Sequence, residues 1–234
     1  GQLLLQTVAS EQIAELDQQP WYGGCSELPL AGSLGDACGT LHPEIHRLRQ
    51  LAQDTLQKCG LEFVGLRAAV ITESAFNNAV AKTGSKGQLL SQTTLELVAS
   101  VLRETTVAAE VFCDRQGGRK NYLPNLLEAF PEEWFRETAV SQSRSSYCNQ
   151  CPDRNLQFHF SVGGDRFPPT ALASMLAKYL RERLMESLNA YWGRQLPDLR
   201  PTAGYPQDAK RFRKCIEPVA ERLNLQENSW WRCK

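Results

Sequence analysis

Two aspartates pose the chemical question in this chain. Asp114 closes the apolar run 109-AEVFCD-114, and Asp165 follows a glycine pair behind the alternating segment 156-LQFHFSV-162. An acid at the end of each run would stand beyond the carboxyl end of a strand, where α/β sheets bind ligands. Converging carboxylates repel one another unless a positive group lies between them. Hard oxygen donors at such a place suit Mg²⁺ or Mn²⁺, which keep several waters and bind phosphate oxygens. Gly117-Gly118 follows one acid and Gly163-Gly164 precedes the other, and glycine pairs let a backbone come close to a phosphate. Each acid also has a plainer use. Asp165 would favour the positive N-terminus of the helix behind it, and Asp114 could end a strand at a turn.

The elements that must hold these acids are read from periodicity. The run at 109–114 is apolar on both faces, as a strand inside an α/β sheet would be. In 156–162, Leu156, Phe158, Phe160 and Val162 alternate with Gln157, His159 and Ser161, which predicts a half-exposed strand. Behind Asp165 a long helix is expected. Pro169 suits its first turn, and Leu172, Leu176, Leu180, Leu184 and Leu188, flanked by Met175, Tyr179 and Tyr191, form its buried stripe.

Elsewhere, 10–19 predicts a short helix capped by Ser10, and the Gly- and Pro-rich 20–40 an irregular segment. A helix from Pro43 buries Ile45, Leu48, Leu51, Ala52, Leu56 and Cys59, with Gly60 as its stop. Residues 66–72 (LRAAVIT) predict a strand, and a turn at 84–87 leads into a helix with Leu90, Leu97, Val98, Val101 and Leu102 inward. A turn and helix over 117–130, a strand at 136–141 and a helix over 207–224 follow. The last buries Phe212, Cys215, Ile216, Val219 and Leu223, and Pro218 is expected to kink it. Alternating helices and strands give the class α/β.

Composition narrows the function. Lys plus Arg equals Asp plus Glu at 26 each, so no global field advertises a nucleic-acid partner. Between Lys178 and Lys214, however, nine basic residues face four acidic ones, with Tyr179, Tyr191, Trp192 and Tyr205 among them. That stretch could be a phosphate-facing surface or a solvated helix face. No apolar run approaches the roughly 18 residues of a membrane span, so no membrane partner is expected. Of eight cysteines, Cys59, Cys113 and Cys215 fit small core positions, and reduced thiols point to a cytoplasmic protein. Only 148-CNQC-151 has ligand-like spacing, and with no second CxxC to complete a tetrahedron, Zn²⁺ at Cys148 and Cys151 is not expected. His42 and His46 have the i, i+4 spacing of a zinc pair but lack a third ligand. No serine elbow, Walker loop or dinucleotide glycine pattern occurs.

The stretch Gly163 to Met185 resembles a signature of the type 2 ribonuclease H family, in which Gly-Asp is followed by Ala-Ser, an aliphatic pair, Ala-Lys and an Arg-acid-Arg helix. The counterparts are Gly164-Asp165, Ala173-Ser174, Met175-Leu176, Ala177-Lys178 and Arg181-Glu182-Arg183. Downstream, 204-GYP-206 is similar to the family's Gly-Tyr segment. Upstream, 112-FCDRQGG-118 is similar to its strand-ending aspartate and glycine, and 76-FN-77 to its Asn-containing segment. The resemblance runs in order from about Leu66 to Phe212.

It implies a ribonuclease H-like mixed sheet with flanking helices over 41–234, with 1–40 as an irregular N-terminal segment. It implies Mg²⁺- or Mn²⁺-dependent endonucleolytic hydrolysis of RNA in RNA/DNA hybrids or at embedded ribonucleotides. Asp114 and Asp165 would be catalytic metal ligands, and Tyr205, Lys178, Ser174, Arg119 and Lys120 would meet nucleic acid. The family's first strand ends in an adjacent Asp-Glu, and no such pair occurs in this sequence. The chain is therefore expected to be a divergent member, or a fragment lacking the N-terminal strands, as its start without Met suggests. A non-catalytic nucleic-acid-binding module on the same fold is the alternative.

Overall fold

The computed structural model describes residues 16, 18–23, 43–63, 65–103, 108–151 and 154–233. They belong to two units, each discontinuous in sequence: residues 1–70 with 180–219, and residues 71–179 with 220–234.

The second unit carries both aspartates. Its elements are helices α2 (Glu73–Thr83) and α3 (Lys86–Leu102), strand β1 (Ala109–Asp114), helix α4 (Leu123–Ala129), strands β2 (Phe135–Val140), β3 (Arg144–Asn149) and β4 (Leu156–Ser161), and a 3₁₀ turn, Gly164–Arg166. The first half of α5 (Pro168–Gln195) and the short C-terminal helix α7 (Glu227–Trp230) complete it. The strands form one mixed sheet in the order β1-β4-β3-β2, with β1 and β4 parallel and the other two pairings antiparallel. The class is mixed α/β, but β2, β3 and β4 follow one another with no helix between them, and β1, expected inside the sheet, is an edge strand.

One face of this sheet is apolar. Cys113 from β1, Phe135 from β2, Tyr147 from β3, and Leu156, Phe158 and Phe160 from β4 pack there with Leu95 and Leu102 of α3 and Leu126 of α4. Burying each large side chain contributes about 1.5–3 kcal/mol, and the Tyr122 ring stacks on Phe160 with centroids 3.7 Å apart. The helices are delimited by local chemistry. Thr72 caps α2 by accepting from the Ala75 N–H at 3.3 Å, and Gly84 ends it in the left-handed conformation. Ser85 then caps α3, accepting from Gln88 N–H at 3.2 Å.

The other unit contains α1 (Pro43–Lys58), the second half of α5 and most of α6 (Pro206–Arg222). Leu16, Trp21, Leu180, Trp192, Phe212 and Ile216 are buried in it. Thr202 pairs both ways with Asn189, and its hydroxyl donates to Asp208 at 2.5 Å. Thr202, with Arg211 beside it, holds the Asp208 carboxyl below its usual pKa.

Several expectations change. Residues 66–72 form no strand; β-propensity without a neighbouring ladder leaves the segment irregular, and Thr72 serves as a cap instead. Phe76 and Asn77 lie inside α2, and Asn77 is buried against the C-terminal segment. A strand unforeseen in the sequence, β3, carries Cys148, whose sulfur accepts from Arg136 Nε at 3.2 Å. Leu48 and Leu51 of α1, Leu90 and Val101 of α3, and Leu172, Met175 and Tyr179 of α5 are exposed, as are Cys59, Cys215 and Leu223. Helical periodicity fixes which residues share a face, not whether anything covers it. The α5 stripe is buried only at Leu180 and Leu184. Conversely, β4 is buried on both faces except at Gln157, so its polar His159 and Ser161 lie inside. The helix expected at 10–19 and His42 fall largely outside the described residues. No described helix is long and apolar enough to cross a membrane.

Candidate functional site

The parallel pairing brings both acids to one end of the sheet. Asp114 is in register with Ser161, the last residues of adjacent strands running the same way. The chain then turns at Gly163, which adopts a left-handed φ of 63°, and brings Gly164 back over the end of β1. The Gly164 N–H donates to Asp114 Oδ1 at 2.9 Å. A Cβ on Gly164 would stand 2.9 Å from Asp114 Cα and 3.1 Å from its Oδ1. Only a residue without a side chain fits this approach. The neighbour of that glycine is Asp165, so the backbone places both acids at the carboxyl ends of β1 and β4.

Both acids are exposed. Asp114 Oδ2 and both Asp165 carboxylate oxygens accept no hydrogen bond among the described residues, and Asp165 does not cap the helix behind it. The N-terminus of α5 is reached instead by Phe167, whose carbonyl accepts from Ala171, while Thr170 donates its hydroxyl to the Phe112 carbonyl at 3.1 Å. Three free carboxylate oxygens suit a hard divalent cation whose remaining positions are filled by water or phosphate oxygens. No group of three or more His, Cys, Asp or Glu side chains converges among the described residues. A cation here would therefore depend on exogenous oxygens. Next to Asp114, burial and then the Asp114 charge push the Cys113 thiol up to about 12, so it remains protonated and supplies no thiolate.

The loop after β1 is braced. The Gln116 N–H donates to Tyr122 Oη at 2.9 Å, and its side chain bonds Ser91 and Thr94. Gly117 and Gly118 both take positive φ, with open space where a Cβ would be. Arg119 Nη1 donates to Asn125 at 2.6 Å and Nη2 to Gln88 at 3.3 Å, so its guanidinium holds the loop. The Lys120 side chain is exposed, and its carbonyl accepts from Ser145 Oγ at 2.7 Å. Ser174 and Lys178 are exposed one turn apart on α5. Cys151 is exposed and forms no metal group with Cys148.

No family model, no curated protein and no solved structure matches this chain. The site therefore rests on its own geometry.

In the other unit, Tyr205 is 64% exposed with the Arg181 guanidinium 5.2 Å above its ring. Arg181 also donates to the Ala203 carbonyl. Much of the basic stretch is paired: Arg183 with Glu186, Arg211 with Asp208, and Arg213 with Glu217. What sequence reading missed was Arg144, in register with Ser161 on the opposite side from Asp114. The segment 144-RSSYCN-149 shows no apolar alternation that would have marked it as a strand.

Proposed function

We propose that this chain is a divalent-cation-dependent endonuclease that hydrolyses RNA phosphodiesters in RNA/DNA hybrids or at ribonucleotides embedded in DNA. The observation that supports the hydrolytic reading is the seating of Gly164 against Asp114, which puts two exposed aspartates with three unengaged oxygens at one end of the sheet among the described residues. Asp114 and Asp165 would hold the cation. When bound, Mg²⁺ or Mn²⁺ supplies Lewis-acid stabilisation of phosphoryl oxygens and lowers the pKa of a bound water.

The chain's own residues provide placement. The Gly164 N–H fixes one oxygen of Asp114 and leaves the other free. The positive φ values at Gly117 and Gly118 keep side chains away from the approach to β1, where backbone N–H groups can face an anion. Lys120, Ser174 and Lys178 offer exposed donors to a phosphate backbone. Tyr205 offers an exposed ring for stacking on a base or sugar. The choice of RNA rests on the likeness of 163–185 to the type 2 ribonuclease H signature.

The test is cleavage of a duplex carrying a single embedded ribonucleotide, with Mn²⁺ or Mg²⁺ against EDTA. Metal-dependent cutting that Asp114→Asn and Asp165→Asn each abolish is the expected result. Asn at 114 can still accept from Gly164, so the turn survives while the charge is removed. A chain that binds the duplex without cutting it at any metal concentration is a recognition module, and the hydrolytic assignment is then wrong.

A further inference from the structure

The sheet face opposite the apolar core is polar and ordered in rows. Asp114 on β1, Ser161 on β4 and Arg144 on β3 lie in register, so their side chains share this face. With strands about 4.8 Å apart, Asp114 and Arg144 stand roughly 10 Å apart across Ser161. The row below is Phe112, His159 and Ser146.

Arg144 is held from beneath. Its Nε donates to Ser146 Oγ at 3.1 Å, and Ser146 Oγ lies 3.0 Å from His159 Nδ1. On the far side of the ring, His159 Nε2 is 2.8 Å from Glu110 Oε1, a close contact whose N–H is poorly aligned for a hydrogen bond. A carboxylate at that distance assigns the proton to Nε2, so Nδ1 accepts from Ser146, which in turn accepts from Arg144. Burial, and then the Arg144 charge, lower the His159 pKa and keep the ring neutral.

The arrangement occupies Arg144 Nε and leaves both terminal amino groups of the guanidinium without a hydrogen bond or ion pair among the described residues. Arg144 is only half-buried, while Ser161 is 1% exposed and its hydroxyl has no hydrogen-bond partner among the described residues. A buried hydroxyl and a two-pronged cation therefore share one row with the candidate cation ligand. A guanidinium held by Nε presents the geometry that grips two oxygens of one phosphate.

We propose that Arg144 binds a backbone phosphate of the nucleic-acid substrate, beside the position that Asp114 and Asp165 would give a cation, with Ser161 as the polar floor between them. This subsite rests on the nucleic-acid reading above, but not on hydrolysis.

The experiment measures binding of the embedded-ribonucleotide duplex with Ca²⁺ replacing Mg²⁺, across a series of salt concentrations, for the wild-type chain, Arg144→Gln, Arg144→Lys and Ser146→Ala. Loss of one phosphate contact reduces the slope of log affinity against log salt by about 0.9. Arg144→Gln is expected to show that reduction with weaker binding, Arg144→Lys to keep the slope, and Ser146→Ala to weaken binding at an unchanged slope. Unfolding midpoints within a degree or two of wild type establish that the fold is kept. An Arg144→Gln chain that keeps its fold, slope and affinity overturns the subsite, whatever the cleavage assay gives. A slope change in a chain that never cuts leaves the subsite standing and removes only the hydrolytic reading. A wild-type chain that binds no duplex overturns both.

Discussion

Gly164→Ala is the perturbation that most directly tests the geometry of the site. The new methyl carbon would lie 2.9 Å from Asp114 Cα, 3.1 Å from Oδ1 and 3.2 Å from Cβ, whereas carbon atoms attract one another best at about 3.5–4.0 Å. All three atoms belong to Asp114, the last residue of an edge strand that is hydrogen-bonded along its length to β4, so the turn at 163–166 is the part that must move. Overpacking of this kind costs about 1–3 kcal/mol. For a chain of this length each kcal/mol lowers the midpoint by about 2–4 °C, so a fall of roughly 2–12 °C is expected. The same movement lengthens the hydrogen bond from Gly164 to Asp114 and draws Asp165 away from its partner, so Mn²⁺ affinity should fall with stability. Gly118→Ala is the control: its φ is 75° but nothing lies within 4 Å, so it carries only the left-handed backbone penalty of about 1–2 kcal/mol and leaves the acids in place. Thermal unfolding followed by circular dichroism gives the midpoints, and titration calorimetry gives the Mn²⁺ affinity. If Gly164→Ala matches wild type in both, the turn does not sit on β1, and the pairing of Asp114 with Asp165 is refuted.

Two further outcomes follow from the same unit. His159 has a pKa below its usual 6.5 because it is buried beside Arg144. As pH falls below about 6.5 the unfolded chain takes up a proton that the folded chain does not, so its contribution is present above that pH and is lost as pH falls through the depressed folded value. Urea unfolding between pH 7.5 and about 5 should show this loss, and His159→Gln should flatten it; an unchanged pH profile in His159→Gln counts against a buried neutral ring. Asn77 donates to the carbonyls of Asn228 and Trp231 at 2.9 and 2.7 Å and accepts from the Cys233 N–H at 2.7 Å. Asn77→Ala should cost about 2–4 kcal/mol, from three bonds of about 0.5–1.5 kcal/mol each, and hydrogen exchange should quicken over 227–233; protection that survives the substitution would show the C-terminal segment is held by other contacts.

Local rules were enough to find β1, β4 and the helix behind Asp165. AEVFCD and LQFHFSV carry their character in consecutive side chains, and Gly60, Thr72, Gly84 and Ser85 act within a few residues of themselves. The two aspartates could be singled out for the same reason, since a carboxylate behind a strand and beside glycines is visible in a short window. Their closeness was not visible. It arises because β1 and β4 pair in parallel although some forty residues separate them, with the β2–β3 hairpin formed between, and because Gly164 alone can pass within contact distance of Asp114 Cα. The same non-local register buried His159 and Ser161, which read as a solvated face, and set Arg144 in the row of Ser161. It also left Leu172, Met175 and Tyr179 exposed on a helix whose period marked them for the core. Residue type and spacing decide what a side chain can do and which neighbours share its face. Only pairing between distant segments decides which faces are covered and which charged groups meet, because that choice depends on contacts no short stretch contains.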